Sequence, residues 1–470
     1  MKALTRLLLC GVCCTTTGFS QPTQKPNVLL VAVDDLNDWV GCLGGHPQTK
    51  TPHIDRLAKR GVLFTNAHCQ APLCNPSRTS IMYGLRPSNS GIYDNQTPPW
   101  NVRALDNHVT LPRHFAANGY RTLTTGKIYH DSGMPKDDFQ VVGPIPGQRN
   151  KLDARIIPET PQGARGLWDF GPQTYDEKLF QDHADATWAI RQLQEKKEKP
   201  FFLTVGFYRP HVPLYAPSRF FDEISEDHIQ LPVVRDNDRD DLPPIINRLT
   251  ASRYSPPHDW FVKTNHWRKA VHAYLACIRF TDEQVGRLID ALDASPHANN
   301  TIVILYSDHG FFLGEKEHWA KQSLWERAAR VPFIISAPGF TRGQSSPRPA
   351  ELLSIYPTLI DLCGLTKRDD IDGTNLVPLL KDPMSEWTRP ALTTHGHNNH
   401  SVRTEHHRYI RYHDGSEELY DHRSDPNEWT NLAALPEHSA LKKELAAWIP
   451  KTNVPQAIAG RKERKRGATK

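Results

Sequence analysis

No stretch of this sequence is long and apolar enough to cross a bilayer. Cysteine is scarce: there are 8 in 470 residues, and Cys10, Cys13 and Cys14 sit near the amino terminus. The remaining Cys42, Cys69, Cys74, Cys277 and Cys363 are odd in number, so at least one cannot pair within the chain. Any disulfide framework is therefore thin at best. There is no internal repeat, which excludes a solenoid. There is also no strong charge of one sign. The formal net charge of +5 permits an anionic substrate but gives no reason to expect a nucleic-acid partner. Proline, by contrast, is plentiful at 38 residues, and it punctuates strong apolar segments, which argues for ordered loops.

The amino terminus reads as an export signal. Lys2 and Arg6 precede an apolar core from Leu7 to Cys14, and Thr15 to Ser20 are small and polar. A signal peptide over 1–20 and a periplasmic, secreted or other extracytoplasmic destination are therefore expected. Pro26 to Val33 is an unbroken apolar run closed by Asp34-Asp35, the pattern of a buried parallel strand. Further strands are expected at Val62–Ala67, Tyr120–Thr125, Phe201–Phe207, Thr301–Tyr306 and Val331–Ala337. Helices are expected at 54–60, 111–118, 177–199, 267–292 and 351–363. Alternation of this kind predicts an α/β fold, a large and mostly parallel sheet with helices on both faces. Ligands of such sheets gather at the carboxyl ends of the strands. Asp34-Asp35, Asp308-His309 and the turn Arg209-Pro210-His211 fall at such ends.

After about Pro383 the pattern shortens. Strands at 391–394, 409–412 and 418–420 and a helix at 438–449 predict a smaller antiparallel α+β subdomain. The expected organisation is a main domain over 25–383, this subdomain over 384–455 and a basic, disordered tail over 456–470. Asp236 to Asp240 resembles the start of a calcium loop. Asp241 and Asn247 stand where that loop needs glycine and glutamate, so the segment reads as a solvated acidic loop. Cys42 and Cys69 read as buried apolar fillers.

The strongest local signal is Cys74-Asn75-Pro76-Ser77-Arg78. It sets a cysteine just ahead of a proline suited to the first turn of a helix, with a fixed positive charge one turn on. C-x-P-S-R is the signature read by enzymes that oxidise a sulfatase cysteine to formylglycine. Five ordered blocks, VAVDDLND, TPHIDRLAKRGVLFTNAHCQAPLCNPSR, TTGKIYH, FFLTVGFYRPHVP and SDHGFFLGEKEHWAKQS, carry the resemblance over nearly all of the mature chain. The sequence is similar to the formylglycine-dependent sulfatases, and within them to the iduronate-2-sulfatase-like group. Many sulfatases carry asparagine where His309 stands, whereas that group carries histidine.

The resemblance implies an alkaline-phosphatase-like fold and hydrolysis of sulfate esters on a saccharide, for instance a 2-O-sulfated uronic acid. Formylglycine (3-oxoalanine) formed from Cys74 by a formylglycine-generating enzyme would be hydrated. One hydroxyl would attack sulfur, and the other would later lose its proton to expel sulfate. The implied catalytic residues are Cys74, Arg78, Lys127, His130, His211 and Lys321. His130 would be the base for sulfate expulsion, His211 the general acid and Lys321 the partner of developing negative charge. The implied metal ligands are Asp34, Asp35, Cys74, Asp308 and His309. Three carboxylates brought together repel unless a hard cation joins them, which favours calcium, with magnesium an alternative. His395, His397 and His400 open the small subdomain and are candidates to line the substrate pocket. Two other readings remain: a phosphonate or phosphodiester hydrolase of the same superfamily, and a catalytically silent protein that binds sulfated glycans.

Overall fold

Residues 25–130, 133–144, 155–252, 254–340 and 343–459 are described by a computed structural model. The expected signal peptide and residues 460–470 of the expected tail lie outside the described residues. The central strand β1 (Asn27–Val33) is buried at every position. Alternate residues face two different cores: Leu29, Val31 and Val33 enter one, while Val28, Leu30 and Ala32 enter the other. Covering on both faces is why its sequence is apolar throughout rather than alternating.

β1 belongs to an eight-stranded sheet. Its other strands are β2 (Val62–Phe64), β3 (Arg121–Gly126), β4 (Val141–Val142), β5 (Phe201–Phe207), β6 (Thr301–Ser307), β7 (Phe333–Ser336) and β8 (Gln344–Ser346). The order across the sheet is β8-β2-β7-β6-β1-β5-β3-β4. All neighbours are parallel except β7, which runs against both β6 and β2. One face is covered by α2 (Gln181–Gln194) and the long α3 (Trp267–Asp293), the other by α1 (Cys74–Tyr83) and the helices at Leu111–Ala117 and Ile355–Leu362. The expected α/β class and mostly parallel sheet are the observed ones.

Boundaries differ in informative ways. The helix expected over 177–199 is confined to α2, after a separate 3-10 turn at Glu177–Leu179. Phe180 between them is extended, and beyond Leu193 no buried side chain remains to hold a helix against the sheet. The strand expected over Val62–Ala67 is split, because the chain leaves the main sheet after Phe64 and Ala67–His68 pairs with Ala350–Glu351 instead.

The carboxyl-terminal part forms a four-stranded antiparallel sheet of β9 (Ala391–Thr394), β10 (His400–Arg403), β11 (His407–Arg411) and β12 (Glu417–Asp421). Sequence reading found three of these strands and missed β10. The helix α4 (Ser439–Ala446) packs on it through Leu445. This sheet docks on the main domain through a shared apolar cluster of Trp325, Phe312, Ile410 and Tyr420. Around that cluster Glu326 is paired with Arg403 and Arg408. At its inner edge Thr393 donates to the Cys69 carbonyl at 2.7 Å and the Thr394 amide to that of Gln70 at 2.8 Å. Residues 454–457 run along the main domain, with Val454 bonded to Ser88 and Ala457 to Gly91.

The acidic segment 236–240 is not simply solvated. Asp238 is buried and pairs with Lys316 at 3.1 Å, because Lys316 is itself buried beside Trp325 and needs an anion there. Cys69 is buried as expected, whereas Cys42 is only partly so.

Candidate active site

The strand register brings the polar ends together. Val33 lies level with Phe207 on one side and with Ser307 on the other, and Gly126 with Gly206. The residues that follow, Asp34-Asp35, Asp308-His309 and Lys127, therefore emerge at one level. The turn carrying Lys127 needs glycine. Gly126 has φ +73°, and a side chain on Gly206 would collide with the Lys127 backbone. Asp35 takes φ +62° without being glycine, which is strained backbone at the site itself. It is held there from three sides. Its amide donates to Asp308 Oδ1 at 3.2 Å, the Tyr274 hydroxyl donates to its carbonyl at 2.7 Å, and Lys321 Nζ lies 2.5 Å from its Oδ1.

Cys74 is the first residue of α1, whose ten residues are all buried. Pro76 falls in the first turn, where no intrahelical N–H is needed, and the extended Leu73 sets the entry of the chain. The helix axis delivers the Cys74 sulfur to the strand ends. It lies 3.3 Å from His309 Nε2, 3.2 Å from Lys321 Nζ, 3.7 Å from Asp34 Oδ1 and 3.9 Å from Lys127 Nζ. Ser77, on the same turn, donates to the Asp308 carbonyl at 2.5 Å. Arg78 Nε donates to Asp308 Oδ2 at 2.8 Å, and its Nη2 lies 3.2 Å from Asp34 Oδ1. Its Nη1 also donates to the Lys127 carbonyl. Lys127 Nζ in turn is paired with Asp34 Oδ2.

Burial pushes the Cys74 thiol up, but Lys127, Lys321 and His309 together hold it well below its usual range, and a hydrogen bond from His130 adds to this. The sulfur thus occupies a place built for a negative atom. Asp34 is likewise penalised by burial, and Lys127 and Arg78 more than compensate, leaving it well below the ordinary carboxylate range. Asp308 is pushed the other way. Burial raises it to about 7 in spite of Arg78. His211 is buried, its Nδ1 is 2.6 Å from the Val212 carbonyl, and its Nε2 is 3.8 Å from Asp35 Oδ2. Desolvation lowers it, with Asp35 acting in the opposite sense.

The donor set fits a divalent cation. Ligand atoms of Asp34, Asp35, Cys74 and His309 all lie within 4.8 Å of one another, and all four residues are buried. Among the described residues, Asp35 Oδ2 has no hydrogen-bond partner. His309 Nε2 stands among Asp35 Oδ1 at 3.4 Å, Asp308 Oδ2 at 3.5 Å and the Cys74 sulfur. Burial works against charging this ring, and Asp308 raises it to about 9. A proton held among so many oxygens stands where a cation would satisfy the same charges, and oxygen-rich ligation suits calcium or magnesium.

The model of the sulfatase family matches residues 26–365. The chain belongs to the sulfatase family. A second model, the carboxyl-terminal part of N-sulphoglucosamine sulphohydrolase, matches residues 314–454. Among curated relatives, a sulfatase of Formosa agariphila is 40% identical over 465 residues, covering 95% of this chain and 92% of that protein. Human iduronate 2-sulfatase is 32% identical over 410 residues, covering 76% of this chain and 73% of its own. Among solved structures, the phosphonate monoester hydrolase of Agrobacterium radiobacter superposes with a TM-score of 0.74 at 24% identity, over 90% of this chain and 94% of that one. That likeness establishes the alkaline-phosphatase-like sulfatase fold, since at this identity it speaks to architecture alone.

Of the residues expected at the site, Asp34, Asp35, Cys74, Arg78, Lys127, His211, Asp308, His309 and Lys321 meet in one buried cluster, with His130 at its edge. The three histidines of the small subdomain do not join it. His400 is buried with its Nδ1 3.0 Å from Thr394 Oγ1, and His397 is exposed with Nε2 3.3 Å from the Asn453 carbonyl. His395 bonds to the backbone of Leu249. Among the described residues, no hydrogen bond or ion pair links these three to Cys74. Sequence reasoning missed Tyr274, Ser307 and Ser77. Tyr274 lies on an ordinary buried helix face, and Ser77 and Ser307 stand in quoted segments without an assigned role, so only their contacts with Asp35, Leu36 and Asp308 give these residues one.

Proposed function

We propose that this sulfatase-family enzyme hydrolyses sulfate esters of saccharides, with formylglycine made from Cys74 by a formylglycine-generating enzyme. The observation that carries the reading is the Cys74 sulfur seated between two lysines and directly beside the Asp34, Asp35 and His309 donor set. Asp34, Asp35, Asp308 and His309 would hold a calcium ion, which when bound would polarise the ester's sulfate oxygens.

The chain's own residues supply the remaining chemistry. Lys127 and Lys321 neutralise charge that develops around residue 74, in a buried site where such stabilisation is strongest. Arg78 fixes Asp34 and Asp308 relative to each other, so the carboxylates do not spread apart when charged. His130, next to residue 74, takes the proton released when sulfate is expelled. His211 donates to the departing alcohol. With its Nδ1–H given to the Val212 carbonyl, its Nε2 is the atom free to carry that proton.

A 2-O-sulfated uronic acid is the substrate favoured by histidine at position 309 and by the likeness to iduronate 2-sulfatase. The apolar leader over 1–20 favours action in an extracytoplasmic compartment. Among the described residues no helix is long and apolar enough to cross a membrane.

The competing phosphonate or phosphodiester reading draws on the shared fold. Rates on matched aryl sulfate and aryl phosphate esters separate the two, followed by a screen of sulfated oligosaccharides read by free sulfate. Preference for the sulfate ester is expected, and preference for phosphate would sink the proposal. Binding of sulfated glycans without sulfate release by protein carrying modified residue 74 would leave the silent glycan-binding reading in its place.

A further inference from the structure

His211 sits in the turn that follows β5, and one residue brackets it from both sides. Tyr208 is the first residue after β5, and its carbonyl accepts from the His211 amide at 2.9 Å. Its hydroxyl donates to the Val212 carbonyl at 2.9 Å. That same carbonyl is the partner of His211 Nδ1, at 2.6 Å. A carbonyl only accepts, so this contact requires the ring proton to sit on Nδ1. Its two lone pairs serve two donors here, and the tyrosine hydroxyl fixes the direction in which the oxygen is presented to the histidine. The two rings also lie against each other, with centroids 4.8 Å apart and planes inclined by 50°.

Tyr208 is itself held from several directions. It is buried, and Lys127 Nζ and the Arg209 guanidinium each lie 5.1 Å from its ring, close enough for a cation to be attracted to an aromatic face. The Tyr208 amide donates to Asp182 Oδ1 at 2.6 Å, and the Arg209 amide to Asp182 Oδ2 at 2.9 Å. Asp182 is buried in the first turn of α2, so a helix of the main domain backs the turn. On the other side Arg209 Nε donates to the Tyr215 carbonyl at 2.7 Å, and the Thr281 hydroxyl of α3 donates to the Arg209 carbonyl at 3.1 Å. With Nδ1 tied down in this frame, His211 Nε2 stands 3.8 Å from Asp35 Oδ2, inside the cluster around Cys74.

We infer that Tyr208 is a positioning residue for the proton donor: its hydroxyl, held on the Val212 carbonyl, sets the tautomer and orientation of His211, so that Nε2 faces the oxygen of the departing alcohol. The inference rests on the reading of His211 given above and deepens it. As the bond between sulfur and the alcohol oxygen breaks, the Nε2 proton passes to that oxygen, and the electron pair of the N–H bond stays on the ring. Tyr208 acts only through His211. A ring free to tilt would present its proton off the line of that oxygen, and the cost would fall on alcohols too basic to leave as anions.

The test compares kcat/KM of the matured, calcium-loaded enzyme on 4-nitrophenyl sulfate and on phenyl sulfate. The nitrophenolate leaves without a proton, whereas the more basic phenolate gains from one. Tyr208→Phe keeps the ring between Lys127 and Arg209 and removes only the hydroxyl. It is expected to lower kcat/KM about tenfold on phenyl sulfate and less than about threefold on 4-nitrophenyl sulfate, a fraction of what a positioned proton donor contributes. His211→Gln should show the same bias at larger amplitude, and the double variant should be no worse than His211→Gln alone, because both changes act on one proton transfer. Equal losses on the two esters would mark the hydroxyl as structural and overturn the inference. No loss on either, or a full additional loss in the double variant, would overturn it as well. A His211→Gln enzyme without the leaving-group bias would instead remove His211 as the acid, and the inference with it. Release of sulfate from neither ester by the wild type would end the sulfate-ester reading itself, a result distinct from the others.

Discussion

Lys321 Nζ lies 3.2 Å from the Cys74 sulfur and 2.5 Å from Asp35 Oδ1, so one ammonium joins the position of the nucleophile to the carboxylate cluster. Burial alone would lower this lysine, yet Asp35 and Cys74 hold it above its usual range. Lys321→Ala is expected to lower kcat about 10²–10³-fold, the size found when a single preorganised charge partner is removed. Steady-state kinetics on an aryl sulfate checks it, and a kcat within a factor of three of wild type would remove Lys321 from the mechanism.

Cys74→Ala removes the atom that formylglycine formation requires. Sulfate release is expected to vanish while the near-ultraviolet circular dichroism is kept, because α1 is anchored by its other buried residues and by the Ser77 and Arg78 bonds to Asp308. Peptide mass spectrometry on the active wild type should find residue 74 converted to the aldehyde. Full activity from protein whose Cys74 is an intact thiol contradicts the assignment.

Removal of the divalent cation should abolish activity, and calcium should restore it. An independent readout is thermal stability. A ligand that binds the native state alone stabilises by RT ln(1 + [L]/Kd), so Tm should rise with calcium concentration. In Asp35→Asn that rise should shrink, since Asp35 offers the unpartnered Oδ2. A Tm indifferent to both chelator and calcium speaks against the metal site.

Arg78 pairs with two buried carboxylates, and burial of all three is nearly complete. Breaking such a set by removing one partner costs about 3–5 kcal/mol, because the remaining charges are left uncompensated. Arg78→Met should therefore lower the midpoint of denaturant unfolding substantially as well as activity. A midpoint unchanged within error would mean that the Asp34 and Asp308 charges are balanced by something else.

Acid stability follows from two buried histidines outside the catalytic set, His318 beside the Lys321 backbone and His400 beside Thr394. Desolvation lowers both His318 and His400 to about 4. Their folded values lie below the unfolded one near 6.5. The neutral rings thus contribute stability that is complete above pH 6.5 and lost as pH falls toward 4. Each group accounts for about 1.4 kcal/mol per pH unit inside that window. Urea unfolding between pH 7 and pH 4.5 should show the decline, and His400→Gln should make it shallower. An unchanged slope in that variant would place the sensitivity elsewhere.

The sequence alone determined the central strands and the chemistry they carry. PNVLLVAV ending in Asp34-Asp35 and TIVILY ending in Ser307-Asp308-His309 are apolar enough that only a doubly covered sheet can bury them. The Cys74 to Arg78 motif names its own helix start. Local patterns of this kind are legible because hydrophobic period, proline position and strand-end acids are set by near neighbours in the chain.

Tertiary structure alone decided which of those residues meet. The β1, β5 and β6 register places Asp34, Asp308 and the Arg209 turn at one level, and a shift of one residue would have turned the acids to the other face. It also placed Tyr274 against Asp35 and, among the described residues, left the three subdomain histidines without a bond to Cys74. These outcomes depend on packing between segments far apart in the chain, more than 200 residues for Asp35 and Tyr274. Contacts at such separations are fixed by how whole layers dock, which no local sequence pattern encodes.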